Sequence, residues 1–338
     1  MIRYYQKRNK ELVELDRIRE ETWIDIRVPF DQGELEKLAN DLDVPLDYFT
    51  DSLDVDERSR YEREDEVELV IINTPVANDD NRDSDPIYIT VPIGIVLTKG
   101  HIITLTSKDD TVLEKFTTNK VKNFVPSDRK KFILQIFEQN VLDYLYRLKQ
   151  LNLKRNLIEQ SLYESSSDKE LRQLLRIEKS LVYFVNSLNA NELLNLKMKR
   201  TDFLQIRDLE YHTDLFEDII IDNGQALEVA NVHTNILSST MDAYASIISN
   251  NMNIFIHRLT IITIILMVPT LVASFYGMNL KYLPLQDTEY AFVIIIFLII
   301  VIVCTFNYIC FSNISCICKS VSIHFKCSNI NCHTWRTR

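Results

Sequence analysis

A chain of 338 residues with 46% hydrophobic side chains and a formal net charge of −10 has room for one sizeable soluble domain and for membrane segments besides. Acidity of this degree argues against a nucleic-acid partner and suits a protein that handles cations. The 5 glycines leave no phosphate-cradling loop, and the histidines (His101, His212, His233, His257, His324 and His333) form no zinc-protease spacing and flank no nucleophile motif, so an enzyme is the less favoured class.

The opening MIRYYQKRNKELVELDR is polar throughout. No signal peptide is therefore expected, and the domain that follows should stay in the cytoplasm. Residues 1–126 hold Pro29, Pro45, Pro75, Pro86, Pro92 and Pro126 and alternate short β-like runs with brief helices. Strands are expected at Ile2 to Gln6, Thr22 to Arg27, Val67 to Asn73, Ile87 to Leu97 and His101 to Thr106, with Lys99-Gly100 turning the last pair as a hairpin. Asp31 stands where it can cap a helix containing Leu35 and Leu38, with Glu34 in the capping-box position. The polar octet Asn78 to Asp85 reads as a surface loop. The whole predicts an α+β domain on a largely antiparallel sheet.

From Ser127 to Val268 there is no proline and one glycine, Gly224, a composition that predicts long helices. Breaks are expected at Ser165-Ser166-Ser167, with Glu170 completing a capping box, and between Met198 and Asp202. The expected helices are therefore about 128–163, 168–198 and 202–275. The last would be a rod of roughly 70 residues, on the order of 100 Å long.

That rod ends in Leu259 to Leu280, an uncharged run of 22 residues between Arg258 and Lys281. At ~1.5 Å per residue it measures roughly 33 Å, enough to cross a bilayer core. A second uncharged stretch begins at Tyr290, and the next charge is Lys319. Two membrane helices joined by a short loop are predicted. In the first, Thr260, Thr263, Met267, Thr270 and Ser274 recur at alternating spacings of 3 and 4 and share a face, which extends back to Ile256 and Asn253. Such a stripe serves equally to pack helices or, in several copies turned about an axis, to line a water path.

At the end of this helix Tyr276-Gly277-Met278-Asn279 places an amide side chain at the outer membrane surface. Here the sequence resembles the CorA family of divalent-cation transporters, whose signature is a Gly-Met-Asn triplet closing the first of two C-terminal membrane helices. The match is closest from Asn253 to Asn279, and the domain layout agrees over about residues 1–306. The resemblance implies a homo-oligomeric, pentameric magnesium channel in the cell membrane, with both termini cytoplasmic. Its only partners would be its own copies, the lipid bilayer and divalent cations. It implies no cofactor, with magnesium as both transported and regulatory ion, and a pathway along Asn253, Thr263, Met267, Thr270, Gly277, Met278 and Asn279. It further implies that Asp218, following Phe216-Glu217, binds a divalent ion between neighbouring cytoplasmic domains. A carboxylate suits magnesium, and the acidic run Glu62 to Glu68 is where a partner ligand is to be sought.

Two features depart from the family pattern. His257-Arg258 stands where a Met-Lys or similar pair is common, with Ile256 at the Met position. All six cysteines (Cys304, Cys310, Cys316, Cys318, Cys327 and Cys332) lie near the end in no recognised zinc spacing, where the family normally ends in a short basic run. From Asn253 onward six basic residues face two acidic ones, a balance of +4, so residues 1–252 carry −14. Charge agrees with an inner side at Arg258 and the basic tail, and an outer side at the slightly acidic loop. The expected layout is 1–126 α+β domain, 127–201 helical hairpin, 202–258 stalk helix, 259–280 first membrane helix with the pore mouth, 281–289 external loop, 290–311 second membrane helix and 312–338 atypical tail. Cobalt, nickel or zinc transport by the same fold is the rival within the family. A membrane-anchored signalling or scaffold protein is the rival outside it, although an anchor has no use for the polar stripe.

Overall fold

The structure, a computed structural model, describes residues 1–8, 11–78, 84–164, 168–206 and 210–278, together with scattered positions between 290 and 305. The chain divides into two units, Met1–Tyr244 and Ala245–Arg338.

The first unit is built on a seven-stranded sheet: β1 (Ile2–Arg8), β2 (Glu11–Leu15), β3 (Trp23–Arg27), β4 (Arg60–Glu64), β5 (Val67–Ala77), β6 (Tyr88–Leu97) and β7 (Ile102–Thr106), in the order β2-β1-β3-β7-β6-β5-β4. Only β3 and β7 pair in parallel; the other ladders are antiparallel, as the sequence predicts. The central strands read as unbroken apolar runs because both of their faces are covered. In β5, Leu69 and Ile71 face a core shared with α1 (Gln32–Leu42) and α2 (Leu46–Leu53), while Val70 and Ile72 face the larger core under α3 (Thr111–Thr117) and the long helices. Trp23 anchors that larger core among the rings of Phe116, Phe124 and Phe132, 5.1–6.4 Å away, and its indole N–H donates to Thr104 Oγ1 at 2.9 Å.

Two close approaches decide how the layers meet. Gly94 in β6 lies under α2, where an added Cβ would sit 1.9 Å from Ser52 Oγ; only glycine lets the helix settle there. Strand β4 begins at Arg60, so on that side Asn73, although its N–H donates to Ser59 Oγ at 3.2 Å, has no strand. Helix side chains take its place: Asn140 Nδ2 and Asn191 Nδ2 donate to Asn73 O at 2.9 Å and Tyr144 O–H at 3.1 Å, while Asn73 N–H donates to Asn191 Oδ1 at 3.1 Å. The opposite neighbour on β6 is Pro92, which has no N–H to give.

The long helices are α4 (Arg129–Glu164), α5 (Asp168–Thr201) and α6 (Glu210–Tyr276). Their contacts repeat at alternating spacings of 3 and 4: Leu174, Ile177, Leu181, Phe184 and Leu188 on α5, and Phe216, Ile219, Asn223, Ala226 and Ala230 on α6, are buried. Helices α4 and α6 run the same way, since Asp128 faces His212 and Glu159 faces Thr240.

Several expectations shift. Helix α6 is described from Glu210 and does not start at 202, because Asp202 and Gln205 adopt positive φ of 47° and 51° and turn the chain after α5. Asp31 does occupy the N-cap of α1, but its side chain makes no capping hydrogen bond. Strands β2 and β4 and helices α2 and α3 are additional to those predicted. The break at 165–167 and most of the 78–85 loop lie outside the described residues.

Candidate ion pathway and cation site

In the second unit α6 continues from Ala245 to Tyr276. Its most apolar stretch has a mean hydropathy of 2.1, and none of that stretch is buried within the chain. Leu259, Leu266, Met267, Leu271 and Phe275 all stand exposed. So large an apolar surface is stable only against lipid or other helices.

Along it three threonine hydroxyls are already engaged. Thr260 Oγ1 donates to Ile256 O at 2.8 Å, Thr263 Oγ1 to Leu259 O at 2.8 Å and Thr270 Oγ1 to Leu266 O at 2.6 Å. This is the back-bonding expected of threonine in a membrane helix. It has a chemical consequence: each hydroxyl has spent its proton on its own backbone, so its oxygen faces outward as an acceptor. Asn253, Thr263, Met267 and Thr270 are all exposed on helical backbone.

The helix carries Pro269 in its interior and ends in a short turn, where Gly277 N–H donates to Ala273 O at 2.9 Å and Met278 N–H to Phe275 O at 3.2 Å. A Cβ on Gly277 would press on Ala273 O at 3.3 Å. Gly277 and Met278 are exposed, whereas Asn279 lies outside the described residues. So do 281–289 and most of the predicted second span, of which the described positions at 293–294, 296–297, 299–301 and 304–305 are helical. Cys304 is exposed; the other cysteines are not among the described residues.

Asp218 lies in the first unit, exposed on α6 between the buried Phe216 and Ile219. Its neighbour Glu217 is paired with Lys199 Nζ at 2.8 Å. Within the acidic run Glu62 to Glu68, Glu62 and Glu68 have local arginine partners. Arg60 reaches Asp51 and Glu57 at 2.8 Å and Glu62 at 2.9 Å, and Arg63 holds Glu68. Among the described residues no three His, Cys, Asp or Glu side chains converge as a metal site.

Two buried acids that the sequence did not single out lie on β3 and at the start of α3. Asp25 accepts from Thr104 Oγ1 and Arg27 Nε, and burial nevertheless raises its pKa. Asp110 caps α3 by accepting from Val112 N–H at 2.9 Å and Leu113 N–H at 3.1 Å. Burial pushes its carboxyl up to about 6 against those two bonds, with the Asp143 charge adding to the rise.

These features define a class: a membrane protein with an α+β soluble domain and a long helix that carries a hydroxyl-striped, membrane-length segment. The sequence pattern described as CorA-like Mg2+ transporter protein matches residues 20–312. The chain belongs to this family of divalent-cation transporters. It is 29% identical over 291 residues to the cobalt/magnesium transport protein CorA of Methanocaldococcus jannaschii, covering 85% of this chain and 89% of that one. With the protein of the same name from Thermotoga maritima the identity is 24% over 57% of this chain and 55% of that one. Among solved structures, the complete CorA magnesium transporter of M. jannaschii superposes with a TM-score of 0.75 at 26% identity, over 91% of this chain and 96% of that one. Full-length CmaX, at 16% identity and a TM-score of 0.62 over 92% of this chain and 96% of that one, shares the fold.

Proposed function

We propose that this chain is one subunit of a homo-oligomeric, pentameric channel that passes hydrated magnesium across the cell membrane and closes when cytoplasmic magnesium is high. The observation that carries the reading is the stripe of back-bonded hydroxyls on an otherwise apolar, unburied helix ending at Gly277-Met278. Magnesium demands near-ideal octahedral oxygen coordination and sheds water reluctantly, so a fast conduit takes it with its shell on. The water shell offers O–H donors outward, and the threonine oxygens offer acceptors. No carboxylate lies between Asn253 and Asn279 to trap a bare ion. Met267 and Leu259 form apolar constrictions that close by dewetting, and a ring of Asn279 side chains receives the ion at the outer mouth. The second helix, 290–311, completes each subunit and returns the tail to the cytoplasm. Regulation rests on Asp218, which, exposed and without a metal cluster among the described residues, takes its remaining ligands from a neighbouring subunit. Cobalt is the second reading, favoured by the relatives whose names join it to magnesium. Uptake into proteoliposomes, magnesium against cobalt and zinc, tests the proposal. Magnesium entry exceeding the other two is the expected result, and no entry of any divalent ion by an assembled protein would overturn it.

A further inference from the structure

The helical layer of the first unit holds a polar fault. On α4 the buried seam runs through Leu151 and Ile158, and the position between them, at spacings of 4 and 3, is Arg155, only 9% exposed. On α6 the seam runs through Ala230 and Leu237, both fully buried, and the position between them, at spacings of 3 and 4, is His233. Two basic side chains, Arg155 buried and His233 half-buried, thus stand in slots that the repeat reserves for apolar groups, on helices that Thr240 and Tyr244 of α6 join to Glu159 of α4. Each has buried atoms without a hydrogen-bond partner: His233 Nδ1, and Arg155 Nε and Nη1. Glu159 lies 3.3 Å from Arg155 Nε, but its carboxylate also accepts from Thr240 Oγ1 at 3.1 Å, and its backbone carbonyl accepts from Tyr244 O–H at 3.2 Å.

We propose that Arg155 and His233 together form a proton-operated joint between α4 and α6: the neutral imidazole lets the helices close, and a proton on it adds a second cation to the partly buried seam and frees α6. A polar residue in an apolar seam is a recurrent way to make a helix contact conditional, and histidine is the side chain whose charge changes near neutral pH. Burial, chiefly, and then the Arg155 charge hold the His233 imidazole below its ordinary range, so the closed contact disfavours the proton. Among the described residues Arg155, from α4, is the charged group that acts on His233, and Glu159 is reached through Arg155. The sign follows: the contact is fully stable above an imidazole's ordinary pKa of ~6.5 and weakens as pH falls below it. The joint sits on the helix that continues as the hydroxyl-striped segment, but the inference stands on the first unit and does not depend on which ion is carried.

Amide hydrogen exchange of the full chain in detergent micelles, at pH 7.5 and 5.5 and corrected for intrinsic rates, tests it. Peptides from residues 226–244 of the wild type should exchange severalfold faster at the lower pH, while strand β5 keeps its protection. His233→Leu, which restores the seam, should show no acid effect. His233→Gln, closer in shape and neutral at both values, should agree and serves if the leucine variant folds poorly. An equal acid effect in a variant, no acid effect in the wild type, or equal loosening of β5 would overturn the proposal.

Discussion

In the proposed channel Asn279 is the side chain on which transport should depend most steeply, because a neutral amide ring at the mouth would receive a hydrated ion without binding it tightly. Asn279→Ala is expected to abolish magnesium transport and leave assembly intact, which gel filtration and uptake on the same preparation will check. Asp110 gives a second prediction at this scale. Its carboxyl is raised to about 6 by burial, so the folded state prefers the neutral form. The resulting stabilisation is complete below the ordinary aspartate value of ~3.9 and is lost as pH rises through about 6. Asp110→Asn cannot ionise, so the melting temperature of the wild type should fall relative to that of the variant between pH 4 and 7. On the order of 2–3 kcal/mol is at stake, from a shift of roughly two pKa units; parallel melting curves across that range would contradict the account. The Gly277-Met278-Asn279 triplet and the hydroxyl stripe are legible in sequence because their meaning lies in spacing and position. Asp110 and the Asn73 network are not, since a buried acid or a carbonyl served by three side chains is defined by elements distant in the chain.

Elements were legible to the extent that burial fixed their pattern. Strands β5, β6 and β7 read as apolar runs, and the long helices as a proline-free, nearly glycine-free stretch. Strands β2 and β4 carry Glu11, Glu14, Arg60, Glu62, Arg63 and Glu64, and as the two outermost strands they have charge where central strands have valine. The chain does not enter α6 at 202 because two non-glycine residues, Asp202 and Gln205, take up positive φ after α5, where the sequence has no glycine to signal a turn. Close packing between elements gives the next prediction. Gly94→Ala should destabilise the protein by about 1–3 kcal/mol, because the added methyl meets Ser52 Oγ at 1.9 Å and Ser52 Cβ at 2.2 Å. Ser52→Gly should recover part of that loss in the double variant, and denaturant midpoints will read the coupling. Additive losses would mean that α2 does not approach β6 as described.

For the whole molecule, two surfaces stand without a partner among the described residues. The membrane-length segment of α6 is unburied, and Asp218 stands exposed with no metal cluster around it among the described residues. Both facts are accounted for if several copies assemble, with the hydroxyl stripes inward and the acidic domains bridged by cytoplasmic magnesium that holds the pore shut. Asp218→Ala should then weaken the magnesium dependence of protease protection, and unchanged dependence would remove Asp218 from regulation. The central claim, that a hydrated divalent ion crosses an oligomer of this chain past neutral oxygens, is tested most directly by magnesium flux into proteoliposomes with and without cobalt hexammine, a mimic of the hydrated ion that does not exchange its shell. The account predicts wild-type flux that cobalt hexammine blocks; wild-type magnesium flux that saturating cobalt hexammine leaves unchanged would contradict it.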